Sequence, residues 1–257
     1  GADPLLPGDS FAYGGGGYYV AGGGHDIWDT ADGFHFAYKQ FTGPFDMRAR
    51  VESLSGTHQW AKATLMAREF LIGGSRHADV VATRSDGNGQ NQLTWQWRDT
   101  EDGGSGSLDG ALRKNLRDNA NYPNTWLRLV REDAASNEFK AYWSNDGQSW
   151  NLHSAHTIPD PPLPATLYLG MAVTSHDNSD TVPLARAFYS SFSVQEFKVF
   201  IDPNLKVALE GAQVVITWAA GTLESSATLT GTFQTVPGAT TPYKVTPTGT
   251  MFYRVKL

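Results

Sequence analysis

Residues 60–98 hold the side chains of this chain that are best suited to contact a polar ligand. They include two tryptophans, three arginines and a histidine at Trp60, Arg68, Arg76, His77, Trp97 and Arg98. An indole offers a flat apolar face that matches the C–H face of a pyranose ring. A guanidinium fork suits hydroxyl, carboxylate or sulfate groups. The combination predicts a carbohydrate-binding groove, with His35 and His176 as further members.

The same residues have a structural interpretation that stays open at this level. Leu93, Trp95 and Trp97 share one strand face because side chains alternate along residues 93–98, so the tryptophans also fit a hydrophobic core. The arginines equally fit an ion-pair network that orders strand ends. A lone histidine is more often held by structural hydrogen bonds than used as a ligand.

Three aspartates, Asp26, Asp29 and Asp32, form a candidate metal site. Calcium prefers several oxygen ligands, and clustered carboxylates supply them. Their spacing lacks the alternation of an EF-hand loop, and turn formation or capping explains aspartates equally well. Structural calcium is therefore an expectation to be tested against the geometry.

Catalysis is the alternative to simple binding. Jelly-roll glycosidases commonly place carboxylates on one strand as Glu-x-Asp-x-x-Glu, and that pattern does not occur in this sequence. Nucleophile-elbow, zinc-protease and phosphate-loop motifs are also missing. If the chain is a glycoside hydrolase or a polysaccharide lyase, Glu69 and His77 are the candidate proton-transfer groups.

Composition limits the fold class and the partners. With 27 glycines, 12% aromatic residues and no sustained helical periodicity, the 257 residues favour an all-β protein. A net charge of −6 without a basic cluster argues against nucleic acid as a partner. The lack of cysteine excludes disulfides and thiolate metal sites, and no apolar run reaches the roughly 20 residues needed to insert into a membrane.

Two domains are predicted, residues 1–200 and residues 201–257. Alternating strands and glycine-rich turns fill the first part, and the composition changes near residues 201–204, after which no aspartate occurs. Residues 99–124 form a polar insertion longer than the usual loop, which predicts a mobile or functional segment.

Five motifs carry a resemblance to a known family. In chain order they are DIWDTADGFHFAYKQFTG, WAKATLMARE, SRHA, FKAYWSNDGQSW and LGMAVTSHDN. Together they resemble the bacterial LamG-like or DUF1349-like group of concanavalin A-like jelly rolls, over about residues 15–199. The resemblance implies two antiparallel sheets packed face to face, one of them concave, and glycan binding on the concave face or on rim loops. The segments VPGATTPYKV and FYRVKL resemble small β modules that end secreted bacterial proteins.

The sequence therefore predicts a concanavalin A-like jelly-roll β-sandwich followed by a small C-terminal β domain. The favoured function is a non-catalytic polysaccharide-binding module of an exported bacterial protein, extracellular or at the cell surface, within a larger multidomain chain. A polysaccharide-active hydrolase or lyase, and a structural or adhesion module that binds protein, are the two alternatives.

Overall fold

The computed structural model describes residues 6–56, 58–84, 93–107, 122–159, 161–179, 181, 183–197 and 204–257. The chain divides into two compact units, Gly1–Lys198 and Val199–Leu257. All regular secondary structure in the described residues is β-strand, as the composition predicts. No helix in this part of the chain is long and apolar enough to span a membrane.

The first unit is a jelly-roll sandwich of two antiparallel sheets. The seven-stranded sheet contains, in spatial order, β1 (Asp9–Tyr13), β2 (Gly17–Gly22), β13 (Ala185–Glu196), β4 (Phe45–Ser55), β9 (Thr125–Arg131), β10 (Glu138–Ser144) and β11 (Asn151–Thr157). The six-stranded sheet contains β3 (His35–Thr42), β12 (Thr166–Thr174), β5 (Lys62–Arg68), β6 (His77–Thr83), β7 (Leu93–Arg98) and β8 (Ser105–Ser107). This architecture confirms the predicted fold class.

The hydrophobic core lies between the two sheets. Alternation turns one face of each strand inward, so β5 supplies Leu65 and β6 supplies Val80, while Met47 and Leu127 face them from the other sheet. Trp95 of β7 is fully buried in this layer. Of the two interpretations of Trp95, the structure therefore selects the core.

The opposite, outward face of the six-stranded sheet is also covered. Residues 23–34, which connect β2 to β3, cross it and bury Ile27 against Met66 and Ala172. Phe34 packs against the same small cluster. In β5, β6 and β7 the side chains that alternation sends away from the main core are consequently removed from water as well. This covering segment decides the environment of Arg68, His77 and Arg98, which lie on this face.

The 99–124 insertion is partly described. Its residues 105–107 form β8, which pairs with β7 at the edge of the six-stranded sheet. The prediction of a mobile or functional segment falls largely on residues 108–121, which lie outside the described residues.

The second unit consists of two three-stranded antiparallel sheets. They comprise β14 (Lys206–Glu210), β15 (Gln213–Thr217) and β18 (Tyr243–Val245), and β17 (Gln234–Thr235), β16 (Thr222–Ser226) and β19 (Phe252–Lys256). Ile216, Trp218 and Leu223 form its small buried core.

Replacing Trp95 with alanine tests the position of the core. Trp95 is fully buried, so Trp95→Ala should lower the free energy of unfolding by about 3–5 kcal/mol in urea denaturation. Leu152→Ala is the control, because this side chain is 52% exposed, and it should change stability by no more than about 0.5 kcal/mol. A loss below about 1 kcal/mol for Trp95→Ala would contradict a fully packed interior position.

Candidate functional site

A pocket of about 230 Å³ opens on the outward face of the six-stranded sheet. Lys62 at the start of β5 and Gln96 in β7 lie on that face, and loops provide the other walls. The lining residues are Asp26, Trp28, Trp60, Lys62, Gln96 and His176. The pocket thus combines two indole rings with acidic, basic and amide groups.

A buried ion pair fixes the polar part of the pocket. Lys62 Nζ donates to Asp26 Oδ1 at 2.6 Å and to the Ile27 carbonyl at 3.0 Å. His176 Nε2 lies 3.1 Å from the other Asp26 oxygen. Burial alone would raise the pKa of Asp26, but hydrogen bonds and charge from His176 and Lys62 outweigh burial and lower it. Asp26 is therefore an ionised hydrogen-bond acceptor at neutral pH.

The two indole rings are partly exposed. Trp28 lies next to the cation, with Lys62 Nζ 5.8 Å from its ring centroid, a cation–π distance. Trp60 precedes β5, and its backbone N–H donates to His58 Nδ1 at 3.1 Å. The Trp28 ring is therefore placed by a side-chain contact and the Trp60 backbone by a hydrogen bond, while part of each residue stays open to solvent.

The backbone at His176 adopts a conformation that L-residues rarely use, with φ of +57°. Neighbouring side chains hold it in place. Thr174 Oγ1 lies 3.1 Å from the Gly24 carbonyl and 2.9 Å from the Gly33 carbonyl, and Ser175 Oγ donates to the Asp177 carbonyl at 2.6 Å. Residues held in such conformations cluster at functional sites, and His176 lines the pocket.

Buried polar atoms without a partner accumulate on the same sheet face. Within the described residues, four buried side-chain atoms there make neither a hydrogen bond nor an ion-pair contact: Thr64 Oγ1, Asp79 Oδ2, Thr94 Oγ1 and Gln96 Oε1. Each such atom typically costs about 1–3 kcal/mol. Gln96 is the member that lines the pocket, although its Oε1 atom is itself buried.

Arg68 and Arg98 belong to a sealed ion-pair network around Asp32. Arg98 donates to both Asp32 oxygens at 2.6 and 2.7 Å, and Arg68 Nη1 donates to Oδ2 at 3.2 Å. The remaining Arg98 donors meet the carbonyls of Trp28, Asp29, Gly73, Ser75 and Gly103 and the hydroxyl of Ser105. The expectation that these guanidinium groups face an open groove was wrong, because residues 23–34 cover them.

Arg76 and His77 are buried as well. Arg76 donates to both carboxyl oxygens of Glu69, at 2.8 and 3.1 Å. His77 Nδ1 lies 2.9 Å from Asp79 Oδ1 without hydrogen-bond geometry, and Nε2 lies 3.8 Å from Asp32 Oδ2. Arg76 therefore follows the ion-pair alternative, His77 is sealed beside two carboxyl groups, and neither residue faces an exposed groove.

The remaining predicted ligand residues divide between the pocket and other places. Trp60 and His176 line the pocket. Trp97 faces the interior with Trp95 and stacks on His156 at a centroid distance of 4.0 Å. His35 in β3 lies 3.1 Å from the Ser10 hydroxyl. The predicted display of Trp97 on the outward face was therefore wrong, because strand alternation places it with the core.

Sequence reasoning missed Trp28, Lys62 and Gln96 as pocket residues. A signal existed for the two strand residues, since alternation puts Lys62 on the face of Arg68 and Gln96 on the face of Arg98. Trp28 had no comparable signal, because its position depends on how the covering segment folds back over the sheet.

The three aspartates of the predicted calcium site do not share a centre. Asp26 pairs with Lys62, Asp32 pairs with two arginines, and Asp29 offers its backbone carbonyl to Arg98. No cluster of three or more histidine, aspartate or glutamate side chains among the described residues could hold a metal ion. The donor set does not fit the expected three-carboxylate site, and calcium stays a prediction that a binding measurement would test.

The candidate proton-transfer residues lie on opposite faces of the six-stranded sheet. His77 pairs with Arg68 across β5 and β6 on the outward side. Glu69 is the next residue after Arg68, so alternation turns it the other way, where it binds Arg76. Glu69 and His77 therefore do not face a common cleft.

Comparison with known proteins supports the fold but assigns the chain to no family. A scan of protein-family models and a search of curated proteins each found no match. Among solved structures, the chain is similar to a functionally unknown protein from Saccharomyces cerevisiae, with a TM-score of 0.54, 18% identity, and coverage of 73% of this chain and 91% of that chain. At this identity the similarity shows a shared fold only.

Two further solved structures match more loosely. One is a GH43 protein from Bacillus licheniformis, with a TM-score of 0.46, 10% identity, and coverage of 68% of this chain and 32% of that one. The other is peanut lectin with a nine-residue peptide, with a TM-score of 0.33, 9% identity, and coverage of 73% and 99%.

Replacing Asp32 with asparagine tests the buried network. The substitution keeps the side-chain shape but leaves Arg68 and Arg98 without a counter-charge, so Asp32→Asn should lower the free energy of unfolding by about 3–5 kcal/mol in urea denaturation. Glu138→Gln removes a carboxylate from an exposed pair with Lys140 and should cost no more than about 1 kcal/mol. Equal effects of the two substitutions would contradict the structural role given to Asp32.

Proposed function

We propose that this protein binds carbohydrate, without catalysis, in the pocket between Trp28 and Trp60. The observation that carries the proposal is the pocket itself, where two partly exposed indole rings lie beside an ionised carboxylate. Ligand sites combine apolar walls with a few fixed polar groups in this way. A sugar ring presents the matching surface, with apolar C–H faces and hydroxyl groups around its edge.

Recognition of ligand hydroxyl groups falls to Asp26. Its ionised carboxylate accepts hydrogen bonds, so a ligand hydroxyl donates to it. Lys62 is already paired with Asp26, which keeps the carboxylate in one orientation. A fixed acceptor loses little conformational entropy when the ligand binds. The pocket is therefore preorganised for a neutral polyhydroxylated ligand.

Binding is favoured over hydrolysis because the pocket has too few carboxylates for glycoside hydrolysis. Glycoside hydrolysis ordinarily needs two carboxyl groups that flank the scissile bond. Among the described residues, Asp26 is the one carboxylate that lines this pocket. Asp79 lies deeper on the same sheet face, and burial raises its pKa, but it is fully sealed from solvent. A substrate in the pocket therefore meets one acidic group.

The proposed cellular location and parent protein rest on the sequence alone. The resemblance to LamG-like or DUF1349-like domains supports an exported bacterial module within a larger chain, outside the cell or at its surface. Several copies of a modest binding site in one parent protein would raise the overall avidity for a polymer. A polysaccharide is accordingly the ligand class we propose.

Removing either indole should abolish most of the binding. The wild-type chain is passed over cellulose, xylan, laminarin, chitin and alginate, and bound protein is quantified against concentration. Trp60→Ala and Trp28→Ala should each weaken retention on the bound polysaccharide by about tenfold or more, which corresponds to about 1.4 kcal/mol of binding free energy. Folding of both variants is checked by urea denaturation.

Trp150→Ala is the matched control for this experiment. Trp150 stacks with Arg48 and Arg128 on the outward face of the seven-stranded sheet, so its loss should leave retention unchanged. The proposal fails if the wild-type chain is retained on none of the polysaccharides. It also fails if Trp150→Ala weakens retention as much as the two pocket variants do.

A further inference from the structure

We infer that His58 is a positioning residue that holds Trp60 in the pocket wall in its neutral form and releases Trp60 when protonated. The consequence for ligand binding rests on the proposed function, since it assumes that Trp60 contacts the ligand. The positioning itself depends on the turn before β5 and can be tested without any ligand.

The turn contains two hydrogen bonds centred on His58. The Trp60 backbone N–H donates to His58 Nδ1 at 3.1 Å, and the Ala61 N–H donates to the His58 carbonyl at 3.1 Å. The first bond spans two residues from side chain to backbone, which is the pattern of an Asx-turn. Nδ1 is an acceptor only while it carries no proton, so the bond selects neutral imidazole with its proton on Nε2.

The surroundings of His58 also favour its neutral form. Its ring stacks on His176, with the centroids 4.2 Å apart and the planes 3° from parallel. The groups that act on it electrostatically are His176, Asp177 and Asp26, and the His25 ring centroid lies 6.3 Å from that of His176. Burial and the neighbouring His176 lower the pKa of His58, while the two aspartates act in the opposite direction.

The direction of the pH effect follows from that shift. The His58 pKa lies below the usual value of 6.5 while the turn is formed and returns towards it when the turn opens. Well above pH 6.5 His58 is neutral in both states, and the turn has its full stability. As the pH falls below 6.5, protonation increasingly favours the open turn, because a proton on Nδ1 removes the acceptor for Trp60.

This coupling makes the pocket wall sensitive to acid. Trp60 provides one of the two indoles of the pocket. Its backbone is anchored to His58 by the hydrogen bond that protonation removes. The other indole, Trp28, is carried by the covering segment, whose carbonyl at Trp28 accepts from Arg98. Arginine keeps its charge over this pH range, so Trp28 is not released. Acidification therefore opens one wall of the pocket and leaves the other in place.

The test follows the Trp60 amide by hydrogen exchange in the full ¹⁵N-labelled chain, without ligand, at pH 7.5 and pH 4.5. The protection factor, corrected for the intrinsic exchange rate at each pH, should fall about fivefold in the wild-type chain, as expected for one lost hydrogen bond. In His58→Asn the amide oxygen occupies the acceptor position and does not titrate, so the protection should be retained at both pH values. In His58→Ala it should be low at both.

An internal control separates local release from general loosening. The Gln148 N–H donates to Asp146 Oδ1 in a similar side-chain-capped turn, where backbone hydrogen bonds lower the pKa of Asp146 to about 2. Its protection factor should not change between the two pH values. The inference is overturned if Trp60 protection is independent of pH in the wild-type chain, or if His58→Asn loses protection in acid as the wild type does. Because no glycan is present, these outcomes are independent of whether the proposed carbohydrate binds.

Discussion

The Asp32 carboxylate is the buried charge on which the outward face of the six-stranded sheet depends. It neutralises Arg68 and Arg98, two guanidinium groups that are almost completely removed from water. Arg98 in turn donates to the backbone carbonyls of Trp28 and Asp29, so the ion pair also fastens residues 23–34 across the sheet. A buried pair that loses one partner is strongly destabilising, and the covering segment is therefore tied to the sheet by charge as well as by apolar packing.

Positioning and recognition are carried out by different residues of this face. The arginines that look most suitable for a ligand have nearly all of their donors occupied by the protein, and they act by holding the covering segment. That segment then presents Asp26 and Trp28 beside Lys62 and Gln96. The strained backbone of His176 and the unpartnered acceptor of Gln96 lie on the same pocket. Conformational strain and an unsatisfied polar atom both reduce stability, and their coincidence is typical of a functional site.

The sequence predicted the sheets and the core far better than the site, for a physical reason. Strand alternation is a local property, so it correctly places Trp95 inside and puts Lys62 and Arg68 on one face. Whether that face meets water depends on residues 23–34, whose contacts with Met66 and Arg98 join parts of the chain more than 30 residues apart. No local pattern encodes such contacts, and the burial of the arginines and the place of Trp28 could not be read from spacing.

Binding of the ligand between Trp28 and Trp60 can be observed in a ¹H–¹⁵N spectrum of the tryptophan indole N–H groups, recorded during titration with soluble oligosaccharides of the polysaccharide that retains the protein. The Trp28 and Trp60 signals should shift in proportion to saturation, while those of Trp126 and Trp150 should stay in place. Shifts confined to Trp126 and Trp150, or saturation without any change at Trp28 and Trp60, would contradict binding between the two pocket indoles.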